Sequence, residues 1–535
     1  MPIKFACQLK MLHLKRTFPS EPALVMAISG NEYAYALFYL SSRLSDLGRR
    51  EEALEAILEA ANLYRQLAED RPVVFNMNLA SSLNNLSNRL SDLGRREEAL
   101  KVILEAVDLC WQLAADRPAA RNAALAGSLN NLSNCLSDLR RGEEALEAIQ
   151  KALNLYRQLA VDYPASFNAD LAKSLYTLSI CLSDLGRREE ALEVITEATN
   201  LYRQLAEDRP AAYKVNLAGS LNNLSNRLSD LGRTEEALKH TLEAVDLCRR
   251  LVADRPTAFN AVLANSLNNL SCHLSDLERR EEALEAILEA LNLYRQLAAD
   301  CPAAFNADLA HSLYTLSICQ SNLGHQEQAL ETIQEAVNLR RQLAADSPAT
   351  FNPVLANALN KLSRYLLVLG RQEDASTTVM ETLDLCRRLV VDSPAAFTSI
   401  LANALDNLSN CLSDVGRREE ALEAILEAVD LRRRLAADRP AAFNVVLANS
   451  LNNLSCHLSD FGRKEEALEA ILEAVNLYRQ LAAERPATFN AILENLLNNL
   501  FHCLSDLGRQ EEPLNAMYYW GSLRPRLSLL ASTGA

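Results

Sequence analysis

Residues 72–118 read PVVFNMNLASSLNNLSNRLSDLGRREEALKVILEAVDLCWQLAADRP, and the layout of this stretch returns along the chain every 46 residues. Its opening proline recurs at Pro118, Pro164, Pro210, Pro256, Pro302, Pro348, Pro394, Pro440 and Pro486. The glycine of its SDLG recurs at Gly48, Gly186, Gly232, Gly324, Gly370, Gly416, Gly462 and Gly508, with Arg140 and Glu278 at the two remaining places. Self-similarity at a fixed period of this size marks a stacked repeat architecture, not a string of globular domains.

The stretch itself predicts two helices. Pro72 suits the first turn of a helix, where its fixed φ and missing N–H cost nothing. Phe75, Leu79, Leu83, Leu86, Leu90 and Leu93 then follow at spacings of three and four, one apolar stripe on a helix of roughly 19 residues. Gly94 ends it with a residue that tolerates the left-handed conformation. The second helix begins at RREEAL, with Glu97 and Glu98 favourably placed against its dipole. Ala99, Leu100, Ile103, Ala106, Val107, Cys110 and Leu113 form its apolar face. A hairpin of this kind cannot bury its stripes alone, so neighbouring units must stack.

Composition is consistent with that reading. Of 535 residues 49% are hydrophobic and 23% charged, enough apolar surface for an extended core. The formal charge of −15 is spread over the units, and no basic stripe is present to neutralise phosphates, which argues against nucleic acid as a partner. No apolar run reaches the ~20 residues of a membrane span. Most of the twelve cysteines follow the repeat: Cys110, Cys248 and Cys386 share one position, and Cys135, Cys181, Cys319, Cys411 and Cys503 another. They read as small apolar helix residues, with no metal or disulfide framework and no cofactor implied. Asparagines of the NLS tripeptide lie mid-helix, where a glycan would block stacking, so a cytoplasmic location is expected.

No catalytic constellation emerges. His273 and Cys272 are adjacent on one helix and point to different faces, so neither activates the other. Neither GxxxxGK[ST] nor GxGxxG occurs, and the EEALEAILEA carboxylates read as a solvated helix surface. The expectation is a chain that is not an enzyme.

Leu83-x2-Leu86-Ser87-x2-Leu90 followed by Ala99-x3-Ile103 and Ala106 resembles the tetratricopeptide repeat (TPR), with Ser87 and Ala99 at the small positions where paired helices approach closely. Leu83 and Leu90 depart from the aromatics usual there, and the unit exceeds the common ~34 residues. The SLNNLS segment with a long second helix is similar to the kinesin light chain type. It also resembles tandem repeats attached to fungal nucleotide-switch proteins of the NACHT and NB-ARC kind. The resemblance covers about residues 31–512 and implies an all-α, right-handed superhelical solenoid of about eleven 46-residue hairpins. Residues 1–30 are expected to form an irregular N-terminal segment or cap. Residues 513–535, with Pro513, Trp520-Gly521 and Pro525, are expected to form a degenerate C-terminal helix and tail.

The resemblance also implies that the first helices line a concave groove. Their polar stripe supplies the candidate site: Asn84, Asn88, Asn130, Asn134, Asn222, Asn226, Asn268, Asn360, Asn452 and Asn498. Asparagine amides both donate and accept, so a ladder of them suits an extended peptide backbone. Tyr176 and Ile180, and Tyr314 and Ile318 three units later, replace asparagines and predict side-chain pockets within the groove. Lys361 and Arg364 read as a solvated basic pair. The function expected is a non-catalytic scaffold for a protein or peptide partner. The alternative is the sensor or regulatory arm of a nucleotide-switch protein whose catalytic domain lies elsewhere. Self-association through the imperfect ends is also left open.

Overall fold

The computed structural model describes residues 22–46, 49–112, 118–139, 141–254, 256–392, 394–438, 440–484 and 486–507. All the regular structure among them is α-helix, joined by short turns. The quoted unit forms helices Pro72–Asp92 and Arg96–Gln112. Leu93 caps the first, Gly94 takes φ 73°, and the Gly94 and Arg95 N–H groups donate to the Ser91 and Leu90 carbonyls at 2.9 Å each. This double bond pattern satisfies the last carbonyls of the helix and demands the left-handed turn. At Glu278 the same turn is kept without glycine, at φ 57°. Arg140 lies outside the described residues.

The chain divides into two compact units, Met1–Leu323 and Gly324–Ala535. In the first, hairpins follow one another from Pro22–Asp46 with Arg50–Asp70 to Pro256–Asp276 with Arg280–Asp300, and then comes the first-type helix Pro302–Asn322. The helix Pro22–Asp46 starts inside the segment set apart above as a cap, and residues 1–21 lie outside the described set. In the second unit, Gln326–Asp346 is a second-type helix, three hairpins follow, and Pro486–Asp506 is last. The expected degenerate tail at 513–535 also lies outside the described residues.

Within each of the two units every helix packs on its chain neighbours, and several first helices also touch the first helix of the next hairpin, as 72–92 does with 118–138 and 348–368 with 394–414. Leu83, Ile103, Ile149 and Leu175 are fully buried in the first unit, each worth about 1.5–3 kcal/mol of apolar burial. The small positions have a specific use. Ser87 is completely buried and its hydroxyl donates to the Ala99 carbonyl at 3.0 Å, tying the two helices together. Ser41, Ser133, Ser271 and Ser409 make the same bond to Ala53, Ala145, Ala283 and Ala421.

The repeat-spaced cysteines sit at the junctions between units. Cys135, Cys181 and Cys319 place Sγ 3.3–3.4 Å from the hydroxyls of Ser87, Ser133 and Ser271 in the preceding hairpin. His273 and His457 occupy the same position and bond Ser225 and Ser409 through Nε2, at 3.3 and 2.8 Å. On the outer surface Arg95 and Glu98 form a bidentate pair at 2.6–2.7 Å that recurs through the RREE segments. Second helices of successive hairpins are bridged by Arg65–Glu105, Arg157–Glu197 and Arg203–Glu243. These pairs are largely exposed and each contributes little.

Candidate functional site

The polar stripe of the first helices separates into rows with different environments. One row, at the position of Asn84, points into the seam between consecutive first helices. Asn84 Nδ2 donates to Ser128 Oγ at 2.8 Å and to the Ala80 carbonyl at 3.0 Å, while its Oδ1 accepts from Asn131 at 3.3 Å. Asn222 and Asn268 are buried and donate to Ser266 and Ser312 at 2.8 and 2.9 Å. In the second unit buried Asn360 accepts from Asn407, and half-buried Asn452 accepts from Asn499 at 2.8 Å. The amides of this row therefore form a side-chain seam between units.

A second row faces outward. Asn134 is exposed, and Asn88 and Asn226 are half-buried; Asn498 is exposed too, but it stands at the seam position of Pro486–Asp506, the last described helix. Ile180 is 38% exposed, while Tyr176, Tyr314 and Ile318 are half-buried. Burial pushes the Tyr176 hydroxyl pKa up, with Arg227 nearby acting the other way. The tyrosines thus take the seam position and the isoleucines the outward one, which splits each expected pocket between two environments. Lys361 is half-buried, its pKa held down by burial and then by Arg364, which is exposed.

The second unit carries a buried ion pair at the seam. Asp406 stands at the Asn84 position and accepts from Ser450 at 3.0 and 3.1 Å. Arg432 stands at the position held by Tyr64, Tyr156, Tyr294 and Tyr478. It pairs with Asp406 and donates to Asn403 Oδ1 at 2.8 Å and the Val446 carbonyl at 3.1 Å. The two substitutions compensate, an acid for an amide facing a base for a phenol.

The first unit also opens a cavity of about 300 Å3 on its first-helix face. Ala80, Asn84 and Asn85 form one wall, Ala123, Gly127 and Asn130 another, and Asp170, Lys173 and Ser174 a third, with Phe38 and Tyr156 closing it. Asn130 is 3% exposed and Ser174 1%, and neither Asn130 Oδ1 nor Ser174 Oγ has a partner within the protein. Burial raises the Asp170 carboxyl pKa, with Lys173 lowering it, and burial followed by Asp170 raises that of the Tyr156 hydroxyl. Periodicity could not announce this site, since Asn130 looks like every other seam asparagine. The available signal was local: Gly127 where Asn265, Asn357, Asn403, Asn449 and Asn495 stand in later repeats, and Lys173 at the same position one repeat on.

Among the described residues, no cluster of three His, Cys, Asp or Glu side chains could hold a metal, and no helix is long and apolar enough to cross a membrane. His273 and Cys272 do diverge: the histidine is buried, and Cys272 lies on the exposed side of the helix.

Family models described as tetratricopeptide repeat match residues 124–204, and 79–112, 217–256, 263–299, 401–439 and 447–484, together just over half of the chain. A model of anaphase-promoting complex subunit 5 matches residues 11–89 and 305–364. No curated protein matches the chain. Among solved structures, nearly identical TPR-like repeats from a kinesin light chain candidate of Podospora anserina are 16% identical. That match covers 42% of this chain and 97% of that one, with a TM-score of 0.33. The apo quorum sensor NprR from B. thuringiensis is 14% identical over 77% of this chain and 99% of its own, with a TM-score of 0.47. A signal transduction ATPase with a tetratricopeptide repeat sensor, from Pyrococcus horikoshii, is 16% identical over 74% and 54%, with a TM-score of 0.41. With repeat models matching just over half of the chain, and with the clasp from serine to alanine carbonyl at the small positions of four of the matched hairpins, the chain belongs to the tetratricopeptide repeat family.

Proposed function

We propose that this chain is a non-catalytic scaffold that holds a peptide or protein partner on its first-helix face. The observation that carries the reading is the division of labour along that face. The seam asparagines bond one another and the serines of adjacent units, which leaves the outward row, Asn88, Asn134, Ile180 and Asn226, available beside a polar-lined cavity. Outward amides on rigid helices supply donors and acceptors to an extended backbone, and Ile180 adds an apolar anchor. The sensor-arm alternative uses the same face with a nucleotide-switch domain as the occupant. The cytoplasmic location and the lack of affinity for nucleic acid and membranes belong to this proposal too.

The test is affinity capture from host lysate read by mass spectrometry, with wild type beside Asn88→Ala, Asn134→Ala and Ile180→Ala combined. All three lie outside the seam, so the variant should keep its helicity. A partner held by wild type and lost by the variant supports the scaffold. Partners retained equally by both would remove the first-helix face from consideration.

A further inference from the structure

Four pairs in the first unit place a seam asparagine 44 residues before a buried serine, and three of them bond: Asn84 with Ser128, Asn222 with Ser266 and Asn268 with Ser312. The fourth, Asn130 with Ser174, does not. Its acceptor oxygen and its hydroxyl are left unpartnered within the protein, and both residues line the cavity on the first-helix face. An unpaired buried polar group is costly, so a cavity lined by two residues that carry one each favours an occupant that satisfies both.

The chemistry of the walls narrows the occupant. Asn130 Oδ1 needs an N–H donor, and the Ser174 hydroxyl can donate to an oxygen. A cation placed against Asp170 would also meet Lys173, and a carboxylate placed against Lys173 would meet Asp170, so the pair of opposite charges favours neither. A neutral group carrying N–H and C=O on one carbon matches both open positions. Phe38 and Ala123 give an apolar wall for a short aliphatic stem. At Gly127 the space is open because a side chain is missing: a Cβ there would lie 3.4 Å from the Tyr156 hydroxyl.

We propose that this cavity is a binding pocket for a carboxamide, of the kind borne by glutamine and asparagine side chains, which donates N–H to Asn130 Oδ1 and accepts from the Ser174 hydroxyl. The inference rests on the scaffold reading only for the use of this face. The carboxamide comes from a free amino acid or from a side chain of a bound peptide, and the probes separate these sources.

The experiment is saturation-transfer NMR on the full chain with free L-glutamine, Ala-Gln-Ala, Ala-Glu-Ala and Ala-Lys-Ala, each at up to about 10 mM, the range suited to small weak ligands. Transfer to the glutamine methylenes of at least one carboxamide probe is expected. It should be absent from the Glu and Lys peptides. Transfer only to free glutamine identifies a small-molecule site, and transfer only to Ala-Gln-Ala identifies a peptide side-chain pocket. Gly127→Asn fills the cavity with the residue that Asn265 and Asn357 provide at the same position of other units, and should abolish binding with helicity unchanged. Ser174→Ala removes one hydroxyl from a buried site and should weaken binding about tenfold.

No transfer to either carboxamide probe, equal transfer to Ala-Glu-Ala, or undiminished binding by both variants would each overturn the pocket. A lysate partner captured through the outward row with no carboxamide binding would sink this pocket and leave the scaffold standing. Carboxamide binding without any captured partner would do the reverse.

Discussion

Acidification should loosen the first unit through His273, and the size of the effect follows from its burial. The side chain is 3% exposed in helix Pro256–Asp276, with Nε2 3.3 Å from Ser225 Oγ and Nδ1 buried without a partner. Burial lowers its pKa from 6.5 to about 4. The folded helix therefore holds the neutral ring, and the unfolded chain takes up the proton first as pH falls. Stability is complete above pH ~6.5 and is lost progressively down to pH ~4. Linkage between those two values gives a loss of about 2 kcal/mol at pH 5, a roughly 30-fold rise in the open population. The assay is native-state hydrogen exchange of the amides in 256–276 at pH 8 and pH 5, corrected for intrinsic exchange, with His273→Cys alongside. Cysteine occupies this position at Cys181 and Cys319, so the variant should fold, and it retains the nearby Asp276 and every other titrating group. The difference between the two pH profiles isolates the histidine. Wild type and His273→Cys losing the same protection between pH 8 and pH 5 would refute the reasoning.

The Asp406–Arg432 pair should behave as a matched unit. Arg432→Ala should cost about 3–5 kcal/mol by stranding a buried carboxylate. Asp406→Asn with Arg432→Tyr, the combination found at Asn452 and Tyr478, should return to within about 1 kcal/mol of wild type in urea denaturation of the second unit. Asn268 exchanges two hydrogen bonds with Ser312, at 2.9 and 3.1 Å. Asn268→Ala should therefore cost about 1–3 kcal/mol, against no more than ~0.5 kcal/mol for exposed Asn134→Ala, by hydrogen exchange of the two helices concerned. Glu278→Gly should stabilise by about 0.5–1 kcal/mol, read from its urea midpoint, because φ 57° is strained for a side-chain-bearing residue and free for glycine.

The period of the prolines and glycines, and the three-and-four spacing of leucines within each unit, were enough to determine an all-α array of hairpins. Those features are local: a proline sets φ at a helix start, a glycine permits the turn after a helix end, and an apolar stripe exists in one helix whatever it packs on. The Ser87 and Ala99 positions were also legible as close-approach points, though the hydroxyl-to-carbonyl clasp that uses them was not. What sequence could not sort was the polar stripe. Asn84 and Asn88 are one turn apart and chemically identical, yet one lies in the seam between units and the other faces outward, because the rotation of each hairpin against the next decides which amide is enclosed. Only the packed units reveal that Asn130 and Ser174 miss each other, that Gly127 leaves room beside them, and that an acid and a base 26 residues apart at 406 and 432 meet in the interior. Local propensity is written residue by residue, whereas partners separated by a unit are chosen by how the helices stack.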